Sequence, residues 1–329
     1  MLKISIMPRI LHTARYTGTP WEILKSVVPE GFIVETLEEL SYECLLRQAV
    51  DADYLLVSGR LPINEEVLSA ASHLKMIQRT GVGTEMLDME AIKKHHIPLY
   101  VNAGVNARSV AEHTIMLMLA CIKRLPQINA ETHSGVWKKQ LQGVTTHELY
   151  GKTVALVGIG NIGRTVAVML QPFGVRILYT DVYRQSTEVE ERLGLTYCNE
   201  FEAILSEADI LSFHCPLTEE NKEMLNMHTL SMLKQGAIVI NTARGKLINP
   251  VDLYDALQKG HIKAAGLDTH YDEPIKEEYK LAELDNVIMT PHIGGLSYEA
   301  FQSMMVGAME NIKAFEEGRL EDIESKRLI

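Results

Sequence analysis

The feature that most restricts the fold is a series of short, nearly all-apolar runs at 154–157, 177–179, 210–213, 238–240, 264–267 and 287–289, separated by stretches with helical spacing. A strand that is apolar on both sides of its pleat must be covered on both faces. Helices laid on each side of a parallel sheet do this, so the pattern predicts a doubly wound α/β domain. A second set of runs, at 3–7, 54–57, 76–78 and 99–101, alternates with helical stretches at 63–71 and 86–94 and predicts another α/β unit. Between the sets, Val110, His113, Leu117 and Cys121 recur at helical spacing until Pro126 stops the pattern. The amphipathic segment 298–317 has no strand after it and is long enough to return to the first unit. A length of 329 residues suits two domains.

Charge and composition exclude several classes of function. A net charge of −11 repels phosphate backbones and anionic lipid surfaces in bulk, so nucleic acid and membrane are not expected partners. Cys44, Cys121, Cys198 and Cys215 stand far apart with no C-x-x-C pair, which suggests reduced thiols in a cytoplasmic protein and no metal site. The apolar stretch 115–122 is far too short to cross a bilayer and reads as buried helix. The N-terminal residues lack the apolar core and cleavage site of a signal peptide.

Gly158-x-Gly160-x-x-Gly163 lies between an apolar run and a helical pattern. In that context the first glycine makes a tight turn, the second lets backbone approach a pyrophosphate, and the third lets helix pack on strand. A glycine turn of purely structural purpose is the bland alternative. Asp181 ends the next run, at the spacing of about 20 residues expected of an acid that accepts from ribose hydroxyls. A carboxylate there repels a 2′-phosphate, which favours NAD over NADP. Arg184 is a counter-signal, though it reads more simply as a solvated loop residue.

Three further motifs follow apolar runs: Asn241-Thr242-Ala243-Arg244-Gly245, Asp268 with Glu273-Pro274, and Pro291-His292 with Gly294-Gly295. Ligands of open α/β sheets bind at the carboxyl ends of strands. Arginine pairs bidentately with a carboxylate and polarises a neighbouring carbonyl. Histidine can give a proton to the carbonyl oxygen as hydride arrives and take it back in reverse. A glutamate beside it orients the imidazole and favours its protonated form. Arg244, Glu273 and His292 therefore suit the interconversion of a small 2-oxo acid and a 2-hydroxy acid.

With His214-Cys215-Pro216 added, the order of these motifs resembles the D-isomer-specific 2-hydroxyacid dehydrogenases, closest to phosphoglycerate dehydrogenase-like members, over nearly the whole chain. The resemblance implies a Rossmann-type sheet inserted into a second, smaller flavodoxin-like α/β domain. The expected division is residues 1–101 and 294–329 for the substrate domain and 102–293 for the NAD domain. It implies catalytic Arg244, Glu273 and His292, and cofactor contacts at Gly158, Gly160, Asn161, Ile162, Gly163, Asp181, Cys215, Pro216, Thr242, Ala243, Arg244, Asp268, His292, Gly294 and Gly295. It further implies a homodimer whose basic arm includes Lys138 and Lys139, although a plain exposed lysine pair explains these equally well.

The stretch from Arg79 through Gly81, Val82 and Gly83 resembles the family's substrate loop, where backbone N–H groups hold the substrate carboxylate beside Arg244 and His292. Arg79 leans toward a phosphorylated or dicarboxylic substrate, and Arg60 could add charge. Glu85-Met86 departs from the Asp-Asn of many relatives, and the chain after Gly295 leaves no room for the regulatory domain some phosphoglycerate dehydrogenases carry. The expectation is an NAD-linked dehydrogenase of a D-2-hydroxy acid, with a 3-phosphoglycerate-like substrate. A glyoxylate, hydroxypyruvate or aliphatic 2-oxo acid reductase is the runner-up. An NAD(H)-sensing, corepressor-like binding protein is the alternative of another class.

Overall fold

A computed structural model describes residues 7–58 and 61–329. Arg60 and, apart from Met7, the run expected at 3–7 lie outside the described residues. The chain divides into two compact units, Met1–Asn106 with Tyr298–Ile329, and Ala107–Ser297.

The first unit holds β1 (Arg9–His12), β2 (Ile33–Thr36), β3 (Tyr54–Val57), β4 (Met76–Arg79) and β5 (Leu99–Tyr100), all parallel, in the order β2-β1-β3-β4-β5. This is the flavodoxin-like doubly wound order. β1 starts just after Pro8, which has no N–H for a ladder. β2 is an edge strand, only half-buried and carrying Glu35, so its pattern is not that of a covered strand. The helix Tyr298–Glu316 lays Met304, Met305, Ala308, Met309 and Ile312 against Ile10, Tyr54, Leu56 and Tyr100.

The boundaries fall at 106/107 and 297/298 rather than 101/102 and 293/294. The Asn102 amide donates to the Met304 carbonyl at 2.8 Å and the Val101 N–H to the Lys326 carbonyl at 2.9 Å, which ties that stretch to the first unit. Ile293 and Gly294 are tied by Asp268 to the second.

The second unit holds β6 (Thr153–Val157), β7 (Arg176–Thr180), β8 (Leu195–Tyr197), β9 (Ile210–Phe213), β10 (Ala237–Asn241), β11 (Ile262–Leu267) and β12 (Val287–Met289). They form one parallel sheet ordered β12-β11-β10-β9-β6-β7-β8. This is the Rossmann order, extended by one strand, with its switch point between β6 and β9. β8 has no apolar run to announce it, being three mixed residues at the sheet edge. One hydrophobic cluster, with Val157, Leu211, Phe213 and Val239, fills one face, and another, with Leu156, Val166, Ile210 and Ile240, fills the other. The helix Ala107–Ile122 belongs to the second cluster through Ala111, Leu117, Met118 and Cys121.

Two glycines of the β6 turn are demanded by packing. Gly158 has φ +96°, and a Cβ there would stand 2.7 Å from the backbone of His214 and Cys215. A Cβ on Gly163 would collide with the Gly158 carbonyl oxygen. At Gly160 it would meet nothing within 4 Å. Gly163→Ala is therefore expected to destabilise by about 1–3 kcal/mol in urea unfolding. Gly160→Ala should leave unfolding within about 0.5 kcal/mol of the parent and weaken NADH binding instead.

Candidate active site

The carboxyl edge of the second sheet collects the residues singled out above. The helix Asn161–Leu170 starts at Gly160, which offers no side-chain acceptor to the first N–H groups. Those donors and the positive end of the helix suit a pyrophosphate. This turn, with open space at Gly160, fits a dinucleotide. Asp181 follows β7, and its Oδ2 accepts from the Ile159 N–H at 2.7 Å while Oδ1 accepts from the Tyr183 N–H at 3.1 Å. Its carboxylate is thus fixed beside the glycine turn. Arg184 donates through Nε and Nη2 to the two oxygens of Glu190, each at 2.9 Å. These bonds, with one from Tyr179, hold the Glu190 carboxyl down at about 2. Arg184 is therefore already neutralised as a phosphate ligand. Cys215 and Pro216 follow β9, beside Gly158, and burial pushes the Cys215 thiol up to about 11.

At the exit of β10 the buried Asn241 donates from Nδ2 to the Arg244 carbonyl at 2.8 Å and accepts from the Ala243 N–H at 3.0 Å. This closes a tight turn over Thr242, whose hydroxyl meets that of Thr114 at 2.8 Å. Arg244 donates from Nη1 to the Ala243 carbonyl at 2.8 Å. A Cβ on Gly245 would collide with the His270 carbonyl, so glycine lets the exits of β10 and β11 press together.

Asp268, at the exit of β11, is 2% exposed. Its Oδ1 accepts from the Thr290 hydroxyl at 2.5 Å and the Ile293 N–H at 2.9 Å, and its Oδ2 accepts from the Gly294 N–H at 2.8 Å. His113 reaches the same group, with Nε2 2.9 Å from Thr290 Oγ1 and 3.4 Å from Asp268 Oδ1. Asp268 thus anchors the 290–294 loop, as a buried carboxylate must be hydrogen-bonded, in addition to the cofactor contact expected of it.

That loop holds His292 at φ +57° with its Nδ1 2.7 Å from Glu273 Oε2. Glu273 Oε1 accepts from the His270 N–H at 2.9 Å. The hydrogen bond to Glu273 raises the His292 pKa above 6.5, against burial and against the nearby Arg244 cation, which lower it. Burial would raise the Glu273 carboxyl, but the bonds from His292 and the His270 N–H outweigh it and hold it below 4.5. Arg244 thus lies close enough to act on the His292–Glu273 pair.

In the first unit, Arg79 ends β4 with 8% exposure, and its Nη1 donates to the Val57 carbonyl at 3.1 Å. Gly81 follows and accepts from the Asn102 N–H at 3.2 Å, while Val82 is 53% exposed. The guanidinium is turned against β3, a more buried setting than the sequence implies. Three residues with no positioning role assigned from sequence hold the site in place: Asn241, His113 and Thr290. The available signal for His113 is its place one turn after Ser109, whose hydroxyl donates to the Gly294 carbonyl at 2.7 Å, so two polar groups share one face of the helix.

Residues 115–294 match the family model described as D-isomer specific 2-hydroxyacid dehydrogenase, NAD binding domain. The chain belongs to the D-isomer specific 2-hydroxyacid dehydrogenase family. It is 37% identical over 289 residues to a D-3-phosphoglycerate dehydrogenase of Methanocaldococcus jannaschii, covering 87% of this chain and 54% of that one. The chain therefore spans about half the length of that relative. It is 35% identical to a glyoxylate reductase of Thermococcus onnurineus, covering 95% and 94% of the two. A D-lactate dehydrogenase of Aquifex aeolicus, solved with NAD and lactic acid, superposes with a TM-score of 0.84 at 28% identity over 97% of this chain and 98% of that one. As a dehydrogenase of this family it is an NAD-linked oxidoreductase.

The His292–Glu273 pair yields a pH prediction. Glu273→Gln removes the carboxylate that raises His292, leaving burial and Arg244 to lower it. The His292 pKa should then fall below its parent value, read by NMR titration of the imidazole, and reduction of a 2-oxo acid should decline from a lower pH than in the parent.

Proposed function

We propose that this chain interconverts a D-2-hydroxy acid and its 2-oxo acid with Arg244, Glu273 and His292 as its catalytic residues. The observation that carries the reading is the 2.7 Å contact of His292 Nδ1 with Glu273, on the edge that also bears Arg244 and the glycine turn. Because Nδ1 is occupied, Nε2 is the atom left to pass a proton. Arg244 binds the substrate carboxylate in a two-point contact and polarises the adjacent carbonyl. NAD supplies or takes up the hydride when bound. In reduction His292 starts protonated and delivers its proton to the developing alkoxide, so activity falls as pH rises through its raised pKa. In oxidation it must start neutral, and the dependence reverses.

The Gly81–Gly83 backbone and Arg79 support a substrate with a second anionic group, such as a phosphorylated 3-carbon acid. Glyoxylate and hydroxypyruvate are the competing substrates, supported by the glyoxylate reductase that resembles this chain nearly end to end. Asp181, with Arg184 bound to Glu190, supports a preference for NAD over NADP. A homodimer in the cytoplasm is supported by four unpaired cysteines and by exposed Leu125, Trp137, Leu141 and Val144 in one segment.

NADH oxidation measured over phosphohydroxypyruvate, hydroxypyruvate, glyoxylate and pyruvate tests the reading. His292→Ala should lower kcat about 10²–10⁴-fold with NADH affinity retained. Undiminished turnover in that variant refutes the acid/base role. Arg79→Ala should raise KM for the phosphorylated substrate at least tenfold and leave glyoxylate unaffected. Equal effects on both would assign Arg79 to holding β3 and β4 together.

A further inference from the structure

The opposite edge of the second unit's sheet carries a feature that the dehydrogenase chemistry does not use. There, near the start of β11, a cavity of about 50 Å³ is lined by Arg124, Gln127, Lys263 and Asn286, with Cys121 and Ile288 on its apolar side. Two of these side chains are cations. The chain as a whole is strongly acidic, yet among the described residues no carboxylate pairs with either of them. Arg124 donates from Nη1 to the Thr145 hydroxyl at 2.6 Å, a neutral partner. Lys263 is pulled below the usual lysine range by burial, by Arg124 and by Lys152, with no acid acting on it. The same field reaches His147, which Lys263, then burial, then Lys152 and Lys123 hold below 6.5.

A third element adds to this positive field. The helix Leu125–His133 starts at Arg124, has no side-chain cap, and brings Gln127 to the cavity in its first turn. The positive end of its dipole therefore lies at Arg124. Like charges held together in a half-buried place repel each other unless an anion joins them. The volume exceeds the roughly 10–15 Å³ that one water needs and admits a group of a few heavy atoms.

We propose that this cavity is a binding site for one oxyanion, a carboxylate or phosphate group, held by Arg124 and Lys263 at the sheet edge opposite Arg244 and His292. Arginine supplies the flat two-point contact and lysine the point charge. Two sources can present such a group: a free anion, or a carboxylate side chain of a second copy of this chain.

Thermal unfolding of the full chain with saturating NADH, in inorganic phosphate against chloride at matched ionic strength, tests the site. Phosphate at several times its Kd should raise the wild-type Tm by about 2–4 °C. Lys263→Arg should keep the shift and Lys263→Gln should lose it with NADH affinity unchanged. Should the second copy be the source, phosphate gives no shift and Lys263→Gln loosens self-association about tenfold by sedimentation, while Lys263→Arg does not. The proposal is overturned if Lys263→Gln matches wild type in both phosphate response and self-association. It is equally overturned if Lys263→Gln is simply more stable in every buffer, the sign of unrelieved repulsion.

Discussion

Asp268 is the interaction on which the candidate site depends. A carboxylate at 2% exposure is tolerable only when its oxygens are fully engaged, and here the partners are the Thr290 hydroxyl and the backbone of Ile293 and Gly294. Those bonds fix the loop on either side of His292, which lets a non-glycine residue hold φ +57°. Such a conformation costs on the order of 1–3 kcal/mol and persists where its surroundings over-determine it. The result is an imidazole whose Nδ1 faces Glu273. One buried charge thus converts burial energy into the orientation of a half-exposed base.

The same edge shows why backbone proximity, more than side-chain supply, sets the architecture. Gly158 is needed because the β9 exit at His214 and Cys215 passes too close for a Cβ, and Gly245 because the β11 exit does the same to β10. Both mark places where neighbouring parallel strands release their chains in one direction. The order β9-β6-β7 puts the β6 turn at the switch point, where connections diverge to opposite faces and leave room for a ligand. Glycine at the crowded turns and open space at Gly160 are two consequences of one topology.

Much of this was legible in the sequence because it rests on local or periodic signals. The covered strands β6, β9, β10 and β11 read as apolar runs, and the glycine turn, Asp181 and the Arg244, Glu273 and His292 motifs each follow such a run. What could not be read lacks a periodic signature. β2 and β8 are edge strands with mixed residues, and β1 begins behind a proline that obscures its start. His113 and Thr290 act through partners distant in sequence, as the Thr290–Asp268 and His113–Thr290 bonds show. Asp268 was visible as a residue, but its hold on the 290–294 loop was not, because sequence spacing does not show which backbone N–H groups fold back onto a carboxylate.

Net charge and local charge also separate here. A chain of −11 repels anions at long range, but beyond a Debye length of about 8 Å in physiological salt that repulsion is largely screened. Local charge is set by the immediate surroundings: the helix N-terminus at Gly160, the guanidinium of Arg244 and, at the far edge of the sheet, Arg124 with Lys263. Where an acid does lie against a cation it cancels its charge, as Glu190 does for Arg184. In an acidic protein, Arg124 and Lys263 are placed where, among the described residues, no carboxylate pairs with them. The local setting of Arg124 and Lys263 is then more informative than the overall sum.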